Sequence, residues 1–198
     1  MPEYSLTEIE AHCKKAARGA GYEWGEADDL AKAVRWLCAY GQNGLQVLLT
    51  LLQDVDGRTE ECRPTPALFK GEQQTEVCGL SLGCALADRG ADALNGITIH
   101  ANILCPMIAI AVLGNSLHDC SMKITTDNGI ASISTSYAEF DGTFKTVKSM
   151  QFEKQALSSK DTLQRMTHVT AELWAAINVY THRTYVPATE ESRLKGAG

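Results

Sequence analysis

An α+β fold is what this sequence predicts, on three observations. The first fifty residues carry apolar positions at helical spacing, broken by glycine corners. The middle carries an alternating run, Met122-Ile124-Thr126, then Asp127-Asn128-Gly129, then Ile130, Ser132, Ile133 and Thr135, the pattern of a β-hairpin. The end carries one long apolar stripe, Leu163, Met166, Val169, Leu173, Trp174, Ile177 and Tyr180. The expected architecture is an N-terminal helical unit, a small antiparallel sheet with a hairpin, a long C-terminal helix and an extended tail.

The elements follow in order. Ser5-Leu6-Thr7-Glu8 fits a capping box, with the Ser5 hydroxyl accepting from the Glu8 N–H and the Glu8 carboxylate from the Ser5 N–H. Leu6, Ile9, Cys13 and Ala16 then mark one helix face, and Gly19-Ala20-Gly21 stops it. A second helix is expected from Glu26 to Tyr40, with Leu30, Ala33, Val34 and Leu37 inward. A third, from Leu45 to Leu52, is apolar enough to demand burial. Asp56-Gly57, Arg63-Pro64, Thr65-Pro66 and Lys70-Gly71 then signal a long connection, either a lid over a pocket or a solvated loop.

Val77 to Leu86 reads equally as a buried strand or as a turn with Ser81 capping a helix. Ile97 to His100 alternates as a strand does, and Pro106 suits the first turn of a buried helix that spans Ile103 to Leu113. Asp141-Gly142 marks a turn, and Phe144 to Phe152 a further strand. The final helix is expected to begin at Ser158, paired with Asp161 in its cap, and to be ended by Pro187. Residues 1–182 thus form one domain: a helical portion 5–52, a loop 54–75 and a mixed portion 76–182. Residues 183–198 form a C-terminal arm.

Composition narrows the function. The chain has 198 residues, 44% hydrophobic and 21% charged, the balance of a globular protein with a full core. Its net charge of −6 argues against nucleic-acid backbone or anionic membrane as a partner, since both require clustered cations. Seven cysteines at irregular spacing, with no C-x-x-C pair and no export signal after Met1-Pro2-Glu3-Tyr4, read as reduced thiols in a cytoplasmic protein.

Two segments stand out chemically. Ala16-Ala17-Arg18-Gly19-Ala20-Gly21-Tyr22-Glu23-Trp24-Gly25-Glu26-Ala27, the pattern Ala33-Val34-Arg35-Trp36-Leu37, and the end Thr184-Tyr185-Val186-Pro187-Ala188-Thr189-Glu190-Glu191-Ser192-Arg193 resemble an uncharacterised bacterial family of about this length, a domain of unknown function. That resemblance implies no activity and no cofactor.

The residues themselves suggest more. The arm mixes an aromatic ring, a proline and paired charges, a combination suited to lying along protein. Tyr185 and Arg193 are placed to close over an anion, with Glu190 orienting the guanidinium. The plainer alternatives are a tied-down helix exit and an arm that docks on a second subunit. The glycines of the 18–25 stretch suit a phosphate approach, but neither a P-loop nor a dinucleotide fingerprint is present. The plainer reading is a tight helix corner stapled by Trp24.

The expected site is therefore Arg18, Trp24, Tyr185, Glu190 and Arg193 together, binding a small molecule or a partner, in a homodimer. The alternative is an enzyme acting on a small anionic or amide metabolite. It would use Arg193 as anion holder and a residue such as His100 or Cys78 as base or nucleophile. His118-Asp119-Cys120 is a weak metal or nucleophile motif, and no metal site is expected.

Overall fold

The structure, a computed structural model, describes residues 2–118, 120–156 and 163–184. In chain order it runs β1 (Glu3–Ser5), α1 (Leu6–Gly19), α2 (Trp24–Ala39), α3 (Gly44–Val55), a single 3-10 turn (Leu68–Lys70), β2 (Gln74–Cys78), α4 (Gly79–Ala87), α5 (Ala91–Leu94), β3 (Thr98–Leu104), α6 (Pro106–Ser116), β4 (Ser121–Thr126), β5 (Gly129–Ser134), β6 (Tyr137–Gly142), β7 (Thr146–Gln155), β8 (Met166–His168) and α7 (Ala171–His182).

Local chemistry accounts for the start of the chain. The Ser5 hydroxyl accepts from the Glu8 N–H at 3.2 Å, and the Glu8 carboxylate accepts from the Ser5 N–H at 2.8 Å, closing the capping box. Ile9, Cys13, Ala16 and Ala17 are the buried face of α1, as their spacing predicts. The small residues of that face allow close packing: α1 lies against both α2 and α7. Gly19, the last residue of α1, touches the Tyr180 carbonyl, and any Cβ there would overlap it.

The sheet has six strands in the order β2-β3-β7-β4-β5-β6. β4 and β5 form the expected hairpin around Asp127-Asn128, with Thr125 opposite Ile130. The expected small antiparallel sheet needs one correction, because β2 and β3 are parallel, with Cys78 opposite Leu104. The ambiguous Val77–Leu86 segment is both of its readings in turn. The strand ends at Cys78 and the helix begins at Gly79, with Cys78 rather than Ser81 at the cap position.

Helix α6 is the centre of the molecule. Every residue from Pro106 to Gly114 is buried, and the helix packs on α2, α4 and β5. Buried residues of α1, α2 and α3 join those of α4, α6 and the sheet in one continuous core.

The long C-terminal helix is a second correction. α7 begins at Ala171, capped by the Thr170 hydroxyl, which accepts from the Leu173 N–H at 3.2 Å, and it is 12 residues long. Met166 and His168 lie in β8, which pairs with β1, so the apolar stripe was read across two different elements. Backbone pairing of Met166-Thr167-His168 with Glu3-Tyr4-Ser5 prevails there over helical spacing. Ser158 and Asp161, the expected cap, lie outside the described residues.

Candidate functional site

The connection between α1 and α2 is a sharp corner made of Ala20 to Glu23, with Gly21 at φ 103°. Its two faces carry different chemistry. On the outer face the Arg18 guanidinium donates to the Tyr22 carbonyl and lies 4.5 Å from the centre of the Trp24 ring, a cation–π contact. The Glu23 carboxylate stands 3.8 Å from the same guanidinium. Trp24, the first residue of α2, is 67% exposed, so it does not staple the corner.

Beside this pair runs an open groove of about 460 Å³, lined by Ala11, Lys14, Lys15, Arg18, Trp24 and Thr184. Its walls are the indole, the Ala11 methyl and the alkyl stems of three cationic side chains. Lys14 is engaged by Asp28 at 2.7 Å. Among the described residues Lys15 forms no ion pair. Two of the expected site residues, Arg18 and Trp24, are thus brought together by one turn of chain. Tyr185, Glu190 and Arg193 lie outside the described residues, but Thr184, the residue before Tyr185, is part of the groove.

That end of the chain is fixed by an ion pair. Arg183, one residue past α7, gives two hydrogen bonds to Asp56 at 2.6 and 2.9 Å, and its guanidinium lies 4.6 Å from the Tyr180 ring centre. The Arg183 hydrogen bonds hold the Asp56 carboxyl below the usual carboxylate range, against a smaller opposing effect of burial.

The inner face of the corner is buried. Tyr22 turns its ring into the core, where its hydroxyl meets the Cys78 sulfur at 3.3 Å. Burial, followed by the charge of the neighbouring thiols, pushes the Tyr22 phenol well above its ordinary value. Cys78 closes β2 and Cys105 follows β3, so two thiols stand at the carboxyl ends of neighbouring parallel strands, each at the start of a helix.

Cys105 is the one non-glycine residue among those described with a positive φ, at 50°. Pro106 fixes the first turn of α6 behind it, and burial pushes its thiol up to about 12. Gly79 packs so closely on the Leu104 and Cys105 carbonyls that a side chain there would overlap both. This cluster was missed by sequence reasoning. The recurring signal, an apolar strand end followed by Cys and then Gly or Pro before a helical run, is present twice, in Val77-Cys78-Gly79 and Leu104-Cys105-Pro106.

Cys78 and His100 do not form a thiol–imidazole pair. Cys78 is opposite Leu104, four residues beyond His100, which places them roughly 13 Å apart at the usual strand rise. His100 is exposed on a shallow surface beside Lys148 and Ser149. His168 lies on β8 and not on the last helix with His182. Asp119, the centre of the His118-Asp119-Cys120 motif, lies outside the described residues, and among the described residues no three His, Cys, Asp or Glu side chains gather as a metal site requires. Nor is any described helix long and apolar enough to cross a membrane.

No curated protein and no solved structure matches the chain. Residues 4–72, which take in α1, α2, α3 and the corner between α1 and α2, match the family described as a protein of unknown function (DUF3726), in keeping with a resemblance to a domain of unknown function.

Proposed function

We propose that the protein binds a small anionic molecule in the groove beside the corner, with the C-terminal arm completing the site. The observation that carries this reading is the exposed Trp24 with Arg18 on its face, at the edge of a groove bearing Lys14 and Lys15. An exposed indole beside three cationic heads suits a ligand with a planar body and an oxyanion. Thr184 in the same groove supports the part given to Tyr185, Glu190 and Arg193, since the arm starts where the ligand would lie.

Seven cysteines, all unpaired, support a reducing setting such as the cytoplasm. The reading includes a homodimer in which the arm reaches a second copy. Truncation after Thr184 separates the possibilities, because it leaves Arg183 and the groove intact. A fall in mass on a sizing column supports the arm in trans. An unchanged mass with a lost thermal shift from carboxylates and phosphates supports the arm in cis. An unchanged mass and an unchanged ligand response would remove the arm from the site.

A further inference from the structure

A second cleft lies about the opposite end of α1 and has a different construction. It has a volume of about 790 Å³ and is framed by α1, α2, α6, the turn after β5 and the segment Leu163-Gln164-Arg165. Its inner wall is Trp36, only 5% exposed. The indole is locked in place: Gly114 lies flat against it where any side chain would overlap the ring, and Tyr40 packs at 4.6 Å between ring centres. The Trp36 indole N–H is nevertheless buried without an acceptor among the described residues. A locked ring cannot turn that donor toward solvent, and buried donors ordinarily have partners.

The cleft is also lined by charged side chains. Arg35 gives one nitrogen to Glu10 at 3.0 Å, and among the described residues the rest of its fork has no further ion pair. Arg165 forms no ion pair among the described residues. Its segment is not a loose strand of chain, since the Gln164 N–H bonds the Ala39 carbonyl at 2.9 Å and the Arg165 carbonyl accepts from the Leu6 N–H at 3.2 Å. Two guanidinium groups on pinned backbone and one carboxylate, Glu10, thus line the same cleft as Trp36 and Tyr40.

We infer that this cleft, bounded by Trp36, Arg35 and Arg165, is a binding site for a small organic oxyanion with a planar body. The oxyanion takes the Arg165 and Arg35 forks, and the planar body lies along the wall to which Trp36 and Tyr40 contribute. The site is independent of the corner groove, and its two arginines belong to no part of that reading.

The test is isothermal titration of the full chain with indole-3-carboxylate, phenyl phosphate and inorganic phosphate, repeated on W24A, on R165A and R35A, and on each of these two combined with W24A. The expected result is saturable binding of an aromatic oxyanion that persists in W24A, where the corner groove is disabled, and that is weakened about tenfold or more when R165A or R35A is added to W24A. Preference for the carboxylate or for the phosphate ester identifies the anion. The control R165K should retain part of the affinity, and because Arg165 is exposed its variants should melt with the parent protein. Absence of binding tighter than about 1 mM by every probe overturns the site. So does affinity lost in W24A but kept in R165A, which would assign the ligand to the corner groove.

Discussion

Arg183 grips Asp56 with both arms of its guanidinium, joining the residue that follows α7 to the residue that follows α3. The pair fixes the backbone just past α7, where the proposed C-terminal arm would begin. The Asp56 carboxyl has its folded-state value lowered by Arg183, so the contact is present above the ordinary carboxylate range and is lost as pH falls through that lowered value. Asp56→Asn should therefore speed amide exchange at Arg183 and Thr184 at neutral pH, while the parent protein loses the same protection only below about pH 4. Equal exchange in both proteins at neutral pH would show that the pair does not fix the chain past α7.

His12 supplies a second pH dependence. It stacks on Trp174 at 3.8 Å, and Trp174 stacks in turn on Tyr4 at 4.1 Å. Burial, with a smaller contribution from Lys15, pushes the His12 imidazole down to about 4. The neutral ring is the one the fold accepts, so this contribution is complete above about pH 6.5 and disappears as pH falls toward 4. Screening at a partly buried ring reduces the effect to about 1–2 kcal/mol. Chemical denaturation at pH 7 and pH 5 should show that loss in the parent protein and a smaller one in His12→Gln.

Gly19 and Gly21 should respond differently to alanine. A Cβ on Gly19 would overlap the Tyr180 carbonyl of α7, and only backbone movement relieves it. Gly19→Ala should cost about 2–3 kcal/mol. Gly21 has open space around it and a φ of 103°, so Gly21→Ala should cost about 1 kcal/mol through backbone strain alone. Thermal melts of the two variants measure the contrast, and equal costs would mean that α7 does not press on α1 as described.

The Tyr22–Cys78 contact predicts a coupling. Tyr22→Phe should destabilise by about 1 kcal/mol, since the buried thiol loses its hydrogen-bond partner. A double-mutant cycle with Cys78→Ala should return an interaction energy of roughly 0.5–1 kcal/mol, and a value near zero would make the contact incidental.

Trp24→Ala should be neutral for the fold and costly for binding. An indole that is two-thirds exposed contributes little to the core, so stability should stay within about 0.5 kcal/mol of the parent. The thermal shift given by a ligand of the corner groove should fall sharply. A variant that loses stability instead would return Trp24 to a structural role.

The sequence by itself determined the local elements. Ser5 and Glu8 carry their own cap, Asp127 and Asn128 their own turn, Pro106 its place in a first helical turn, and Arg18 and Trp24 their meeting across a six-residue span. Each of these depends on neighbours within a few residues, which is what spacing and residue type encode.

Only the tertiary structure decided the rest. Met166 and Thr167 carry an apolar pattern that fits a helix, and β1, at the other end of the chain, turns them into a strand. The parallel pairing of β2 with β3 sets Cys78 beside the Cys105 turn, a meeting that neither segment's local pattern contains. Trp36 was not among the inward residues expected of the second helix, and its cleft forms only where Glu10, Arg35 and Arg165 arrive from three separate segments. Contacts between distant segments are chosen by the free energy of the whole packed core, and no local window contains that quantity.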